Sequence, residues 1–322
     1  MRQFAKPTIV VSKCLEFDAC RYNGEMISDV TIRNLQPFVT FIPVCPEVEI
    51  GLGTPRETIR IVEENGENRL MQPSTREDVT EKMEQFSNDF LQTIPDVDGF
   101  ILKNRSPSCG TRDVKIYSGF EKAPAKGKGA GLFGGAVVKN FSHLPIEEEG
   151  RLSNFIIREH FFTRLFTIAY YKMIKHNKNM KELVSFQSDN KYLFMAYNQV
   201  KQKELGRIIA NQKNEKIEVV FENYEKTLYE LFMRAPRYTS NVNVCEHIFG
   251  YFKTKLKKQE KDHFIELLQK YAEKKIPLSS LLTILKSWAI RFDEKYLLRQ
   301  TYFEPYPEAL VEISDSGKGR DY

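Results

Sequence analysis

The rhythm of apolar residues changes near the middle of this chain. In the first half, short β-branched and aromatic runs recur: PTIVVS at Pro7–Ser12, FVTFIPV at Phe38–Val44 and DGFILK at Asp98–Lys103. Runs this short, with few polar residues between the apolar ones, suit strands covered on both faces. Between the second and third lies STREDVTEKMEQFSNDFLQTI, beginning at Ser74. Its Val79, Met83, Phe86, Phe90 and Leu91 follow helical spacing, and Ser74 with Glu77 has the form of a capping box. A helix starting at Ser74 is therefore expected. Strands separated by helices predict an α/β domain with a mainly parallel sheet.

The stretch Pro124–Phe141 is rich in glycine and reads as a loop leading to a last helix or strand. Its GKGAGLFGG lacks the Gly-Lys-Ser/Thr ending of a phosphate-binding loop, so flexibility or close backbone packing is expected instead. Ser142–Leu152, SHLPIEEEGRL, reads as a linker. The expected division is 1–143 and 144–322. Beyond it the periodicity is helical throughout RLSNFIIREHFFTRLFTIAYYKMIKHNK and VNVCEHIFGYFKTKLKKQEKDHFIELLQKYAEKK, and Pro277 stands near the start of another helix. The second half is expected to be an all-α domain.

Charge separates the halves too. Residues 1–149 hold 18 Lys and Arg against 22 Asp and Glu, and residues 150–322 hold 30 against 21. A basic helical half suggests a polyanionic partner. No apolar run approaches the roughly 18 residues of a membrane span, so no membrane partner is expected. MRQFAKPTIVVSKC has no small-residue cleavage pattern, so a cytoplasmic location is expected. Five cysteines there suggest thiols or metal ligands rather than disulfides.

Three of those cysteines share a position. Cys14 follows the first strand-like run, Cys45 the second, and Cys109 the third through LKNRSPSCG. In a parallel sheet the carboxyl ends share one edge, where ligands bind. Three thiolates gathered there form a soft, anionic site suited to zinc or an iron–sulfur cluster. Three protein ligands, rather than four, would leave a coordination position open for Lewis-acid chemistry. Cys20, in DACRYNG, could be a fourth ligand but reads better as a structural or redox accessory; Cys245 reads as core.

The blocks VSKCLEFDACRYNG, PVCPEVEIGLGTPRETI and LKNRSPSCG resemble the signature blocks of the thiouracil desulfidase family, over roughly residues 7–140. The second half resembles a YbgA-like helical domain through EEEGRLSNFIIREHFF, NKYLFMAYN, ELGRIIA, NVNVCEHIFGYFKTKL, KKIPL and YLLRQTYFEPYP. Proteins with this fusion resemble tRNA 4-thiouridine desulfidases. The resemblance implies that Cys14, Cys45 and Cys109 hold a [4Fe-4S] cluster with one iron not bound by protein. It implies a non-redox replacement of the sulfur of a thiolated pyrimidine by water, giving uridine in tRNA and free sulfide. The family's first block more often reads Cys-Leu-Leu-Gly where this chain has Cys14-Leu15-Glu16-Phe17, and is aliphatic where Cys20 stands.

Residue chemistry extends that expectation. Glu47, two residues past Cys45, suits proton transfer. Ser106 is the expected hydroxyl for the base or the attacking water, with Ser108 beside Cys109, while Pro107 and Gly110 shape the loop. Arg21, Asn23 and Gly24 are candidate substrate contacts, and Lys103 and Arg105 add positive charge. On the helical half, Lys253, Lys255, Lys257 and Lys258, Arg234 and Arg237, and Lys201, Lys203 and Arg207 are candidate phosphate contacts, with Tyr238 and Tyr251 available for stacking. His247 reads as a satisfied core histidine. Two other readings stay open: a desulfidase of free thiouracil, and a metal-bearing RNA-binding protein without turnover.

Overall fold

The computed structural model describes residues 2–64, 66–120, 124–211 and 214–312. The chain divides into two compact units, Met1–Ala169 with the segment from Ala309, and Tyr170–Glu308. Among the described residues no helix is long and apolar enough to cross a membrane.

Strand β1 (Thr8–Ser12) leads through a loop to helix α1 (Val30–Leu35), β2 (Thr40–Val44) and the single turn α2 (Pro46–Glu49). Strands β3 (Arg60–Glu64), β4 (Glu67–Gln72) and β5 (Glu77–Asp78) precede α3 (Thr80–Thr93) and β6 (Gly99–Leu102). Strands β7 (Val114–Tyr117) and β8 (Ala125–Gly129), helix α4 (Leu132–Phe141), β9 (Ile146–Glu148) and the short α5 (Glu149–Leu152) follow. The α/β unit therefore forms as the apolar runs predict. Its four-stranded sheet has the order β2-β1-β6-β9, with every neighbouring pair parallel. Ile9, Val10 and Val11 of β1 and Phe100, Ile101 and Leu102 of β6 are fully buried, as strands covered on both faces require.

Three local expectations need correction. The helix does not begin at Ser74. Glu77 and Asp78 pair with β4 instead, and the Asp78 carboxylate accepts from Thr80 N at 2.9 Å, so α3 starts six residues late. Pairing with a neighbouring strand outweighs a capping box that has only local support. Second, the linker segment Ser142–Leu152 contains β9, which adds a fourth strand beside β6. Third, Pro124–Phe141 is not a loop: it forms β8 and α4. β8 completes a second, five-stranded sheet of order β5-β4-β3-β7-β8 that the pattern did not reveal. Its strands read RIVEE, ENRLMQ and AKGKG, too polar for an apolar rhythm.

The second region is helical as expected: α6 (Phe155–Asn177), within which the division between units falls, α7 (Met180–Asp189), α8 (Lys191–Tyr197), α9 (Gln199–Ala210), α10 (Ile217–Leu231), α11 (Tyr238–Phe249), α12 (Lys258–Ala272) and α13 (Leu278–Arg291). Its core is aromatic, with Phe186, Phe194, Tyr224, Phe232, Phe252 and Phe264 buried. Tyr224 donates to the Gln187 side chain at 2.6 Å, which satisfies a hydroxyl inside that core. Pro277 stands at the N-cap of α13. Cys245 is buried as expected, but His247, expected in the core, is exposed: it lies on the outer face of α11, two positions past Cys245. The long periodic stretch containing it also breaks. Gly250 ends α11, so Lys253, Lys255 and Lys257 occupy the turn before α12 rather than a helix face.

Candidate metal centre

The strand order β2-β1-β6 makes the three cysteine-bearing ends immediate neighbours. Cys14 follows β1 by two residues, Cys45 follows β2 directly as the N-cap of α2, and Cys109 lies in the loop after β6. All three, with Cys20, line one cavity of about 390 Å³. Lys13, Arg21, Tyr22, Glu47, Arg56, Lys103, Arg105 and Ser106 also face it.

The Cys109 loop is clamped from three sides. The Ser106 hydroxyl accepts from Cys109 N at 3.1 Å and from Ser108 N at 3.3 Å, and Gly110 N donates to Ser106 O at 2.9 Å. From β9, the Glu148 carboxylate accepts from Thr111 N at 2.7 Å and the Thr111 hydroxyl at 3.0 Å. From α4, Gly131 N donates to Gly110 O at 2.7 Å and Gly134 N to Ser108 O at 2.9 Å. These glycines are required by close approach: a Cβ on Gly134 would stand 2.3 Å from Gly110 O and 2.4 Å from Cys109 O. Of the two expectations for the glycine-rich stretch, close backbone packing is the one realised. Gly134→Ala is accordingly expected to cost about 1–3 kcal/mol, as overpacking does, measured by chemical denaturation of the metal-free protein.

Glu47 is the centre of the polar network. Ser108 donates to its Oε1 at 2.5 Å, and Ser106 Oγ lies 3.5 Å from the same oxygen and 2.9 Å from Ser108 Oγ. Its Oε2 receives the Arg56 fork, Nη2 at 2.6 Å and Nε at 2.9 Å. This pair is buried, with side chains 4% exposed for Arg56 and 13% for Glu47. Arg56 Nη1 also donates to Cys20 O at 2.9 Å and Gly53 O at 2.8 Å. One guanidinium thus ties the Cys20 loop to the carboxylate. Sequence reasoning missed Arg56, and the only sequence signal was its place in the quoted block GTPRETI. Lys103 faces the cavity too, but its ammonium is held by Glu149 and Asn104.

Other expected contacts are placed as follows. Arg21 lines the cavity and pairs with Glu25 at 3.3 Å. Asn23 is not brought to the cavity; its amide donates to Glu25 at 2.6 Å. Gly24 takes the left-handed conformation, φ 73°, that the Arg21–Glu25 turn requires. Ser108 is fully buried behind Glu47. In the helical unit, Arg207, Arg234, Arg237, Lys253, Lys257 and Lys258 are exposed, and none has a carboxylate ion-pair partner among the described residues. Lys201 pairs with Glu204 and Glu230, and Lys255 with Glu294. Tyr238 packs against Tyr271 with tilted rings whose centroids are 5.1 Å apart, and Tyr251 shares a hydroxyl contact of 3.2 Å with Tyr192.

The donor set, three thiols lining one cavity, has the soft, anionic chemistry that an iron–sulfur cluster takes. Burial pushes the Cys14 thiol up to about 12, with Cys45 adding to it. Burial likewise raises Cys109, against a hydrogen bond from Ser12. The Cys14 and Cys109 thiols are thus protonated near neutral pH without metal, and metal binding to them releases protons.

Residues 9–149 match the family model described as 2-thiouracil desulfurase, and residues 191–307 match one described as a protein of unknown function, DUF1722. The uncharacterized protein YbbK of Bacillus subtilis is 36% identical over 118 residues, covering 34% of this chain and 77% of YbbK. The uncharacterized protein YbgA of Escherichia coli is 22% identical over 156 residues, covering 48% of this chain and 92% of YbgA. A solved structure titled a [4Fe-4S]-dependent thiouracil desulfidase, TudS, shares 25% identity over 46% of this chain and 93% of that one, with a TM-score of 0.36. The chain belongs, through residues 9–149, to the 2-thiouracil desulfurase family, and carries behind that region a DUF1722 region of unknown function.

Proposed function

We propose that this chain is a [4Fe-4S]-dependent, non-redox desulfidase that converts thiouridine in tRNA, 4-thiouridine first among the candidates, to uridine with release of sulfide. Residues 1–143 would carry the chemistry and 144–322 would hold the RNA. The carrying observation is the convergence of Cys14, Cys45 and Cys109 on a cavity that also holds Glu47 and Ser106. Cys14, Cys45 and Cys109 would hold the cluster. When bound, its iron without a protein ligand supplies a thiophilic Lewis acid that draws electron density from a thiocarbonyl.

The remaining work falls to side chains. Glu47 faces the cavity with one oxygen bound by Arg56 and the other by Ser108. It is positioned to take a proton from the attacking water and return one to the departing sulfur. Ser106, whose hydroxyl lies 3.5 Å from Glu47, orients the base or the water. Arg21, at the cavity mouth, contacts the base or the adjoining phosphate. A cavity of about 390 Å³ admits a nucleobase but not a folded RNA, so the base must leave its stack to reach the thiols. The exposed Arg207, Arg234, Arg237, Lys253, Lys257 and Lys258 supply phosphate contacts.

The test is anaerobic. Reconstituted protein is given thiolated bulk tRNA and, separately, free thiouracil, and sulfide release is followed. The expected result is turnover of tRNA that weakens as salt is raised. The double variant Arg234→Glu/Arg237→Glu is expected to lower tRNA turnover at least tenfold while leaving any turnover of free base unchanged. Turnover of thiouracil alone would make the free base the substrate. Binding of tRNA without sulfide release would make the chain a binder.

A further inference from the structure

Cys20 has no part in the chemistry above, yet it is buried against the same cavity as the three proposed ligands. Its placement is specific. The Cys45 thiol lies 3.8 Å from the Cys20 carbonyl, and Arg56 holds that carbonyl at 2.9 Å. The same Arg56 grips Glu47, two residues beyond Cys45. The two cysteine backbones are therefore tethered through one buried guanidinium. Both side chains line the one cavity, with the Cys45 thiol aimed at the Cys20 backbone. The Cys109 thiol is engaged differently, accepting from the Ser108 hydroxyl at 3.8 Å.

We propose that Cys20 and Cys45 form a disulfide when no iron occupies the cavity, making Cys20 a guard for one ligand of the metal centre. The oxidant is a small-molecule disulfide such as glutathione disulfide. One protein thiolate attacks it, expelling one glutathione and leaving a mixed disulfide. The second protein thiolate then attacks the protein sulfur of that bond and expels the other glutathione. Two protein thiols lose two protons and two electrons, and one glutathione disulfide becomes two glutathiones. Both thiols face the cavity, which is the path for the reagent. The product is reversible by a dithiol, whereas sulfinic and sulfonic acids are not. The consequence for iron loading rests on Cys45 being a ligand; the disulfide itself does not.

The experiment uses the full-length, metal-free, reduced protein. It is treated with glutathione disulfide without oxygen, alkylated and cleaved at glutamate without reduction. Glu16 lies between Cys14 and Cys20, so this cleavage separates them. The expected product links residues 17–25 to 26–47, with an intact mass lower by two hydrogens and no retained glutathione. Cys20→Ser is expected to stop at a glutathione adduct on Cys45. A Cys45 bridge to Cys14 or Cys109, or Cys20 recovered fully alkylated, would overturn the proposal. A second arm mixes oxidised and dithiol-reduced protein with ferrous iron and sulfide. The oxidised form is expected to take up at least tenfold less iron, and dithiothreitol to restore it. If the bridge forms but iron uptake is unchanged, the guard role fails and so does the assignment of Cys45 as a ligand, while the disulfide stands.

Discussion

Cys109→Ala is expected to abolish the iron–sulfur centre and all desulfidation. Removing one thiol leaves Cys14 and Cys45 as the only proposed ligands, so two of the cube's four corners lack a protein ligand. The remaining two come from loops after β1 and β2, and nothing on the β6 side replaces the third. Cys109 is buried in a loop pinned by Ser106, Glu148, Gly131 and Gly134, which fixes its thiol at the cavity. Anaerobic iron and acid-labile sulfide analysis should fall from four of each per chain to near background. Cys20→Ala is the control and should keep the full complement. Full iron in Cys109→Ala, or its loss in Cys20→Ala, would overturn the ligand set.

Arg56→Ala is expected to be the most destabilising single change outside the cysteines. The Arg56–Glu47 pair is largely buried, with two guanidinium N–H groups on one carboxylate oxygen and a third nitrogen bonded to the Cys20 and Gly53 carbonyls. Removing the guanidinium strands a carboxylate with two serine hydroxyls and no counter-charge, and breaking such a buried pair costs about 3–5 kcal/mol. It also removes a donor from the Cys20 and Gly53 carbonyls. The loss should appear in urea denaturation of the metal-free protein. Arg56→Lys should recover part of it, because lysine restores the charge but cannot form the fork. A loss below about 1 kcal/mol for Arg56→Ala, within the range of exposed ion pairs, would show that the pair is worth no more than a surface contact.

Much of the fold was legible because burial wrote it into the rhythm of side chains. TIVVS and GFIL carry no polar residue between their ends, and both became central strands of the parallel sheet. The cysteines were legible because each follows such a run. The second sheet was not, since β3, β4 and β8 present charged residues to solvent and mimic loops. The acidic run Glu147–Glu149 looked like solvated linker, yet Glu148 and Glu149 are buried acceptors, one for the Cys109 loop and one for Lys103 and Asn104. Their partners lie 36 to 46 residues away, beyond the reach of any local pattern. Arg56 was missed for the same reason: its meaning comes from Cys20 and Glu47, brought close by the two loops.

The clamp on the third thiol has a consequence for how the protein is made. Every cysteine of the proposed centre has been synthesised by residue 109, but α4 and β9, which hold the last of them, end at Phe141 and Glu148. A nascent chain therefore exposes its full complement of sulfur ligands well before it can orient them. Delivery of iron to a ribosome-bound chain would meet three loosely tethered thiols rather than a formed cradle, so maturation of this centre belongs after release of the α/β region from the exit tunnel.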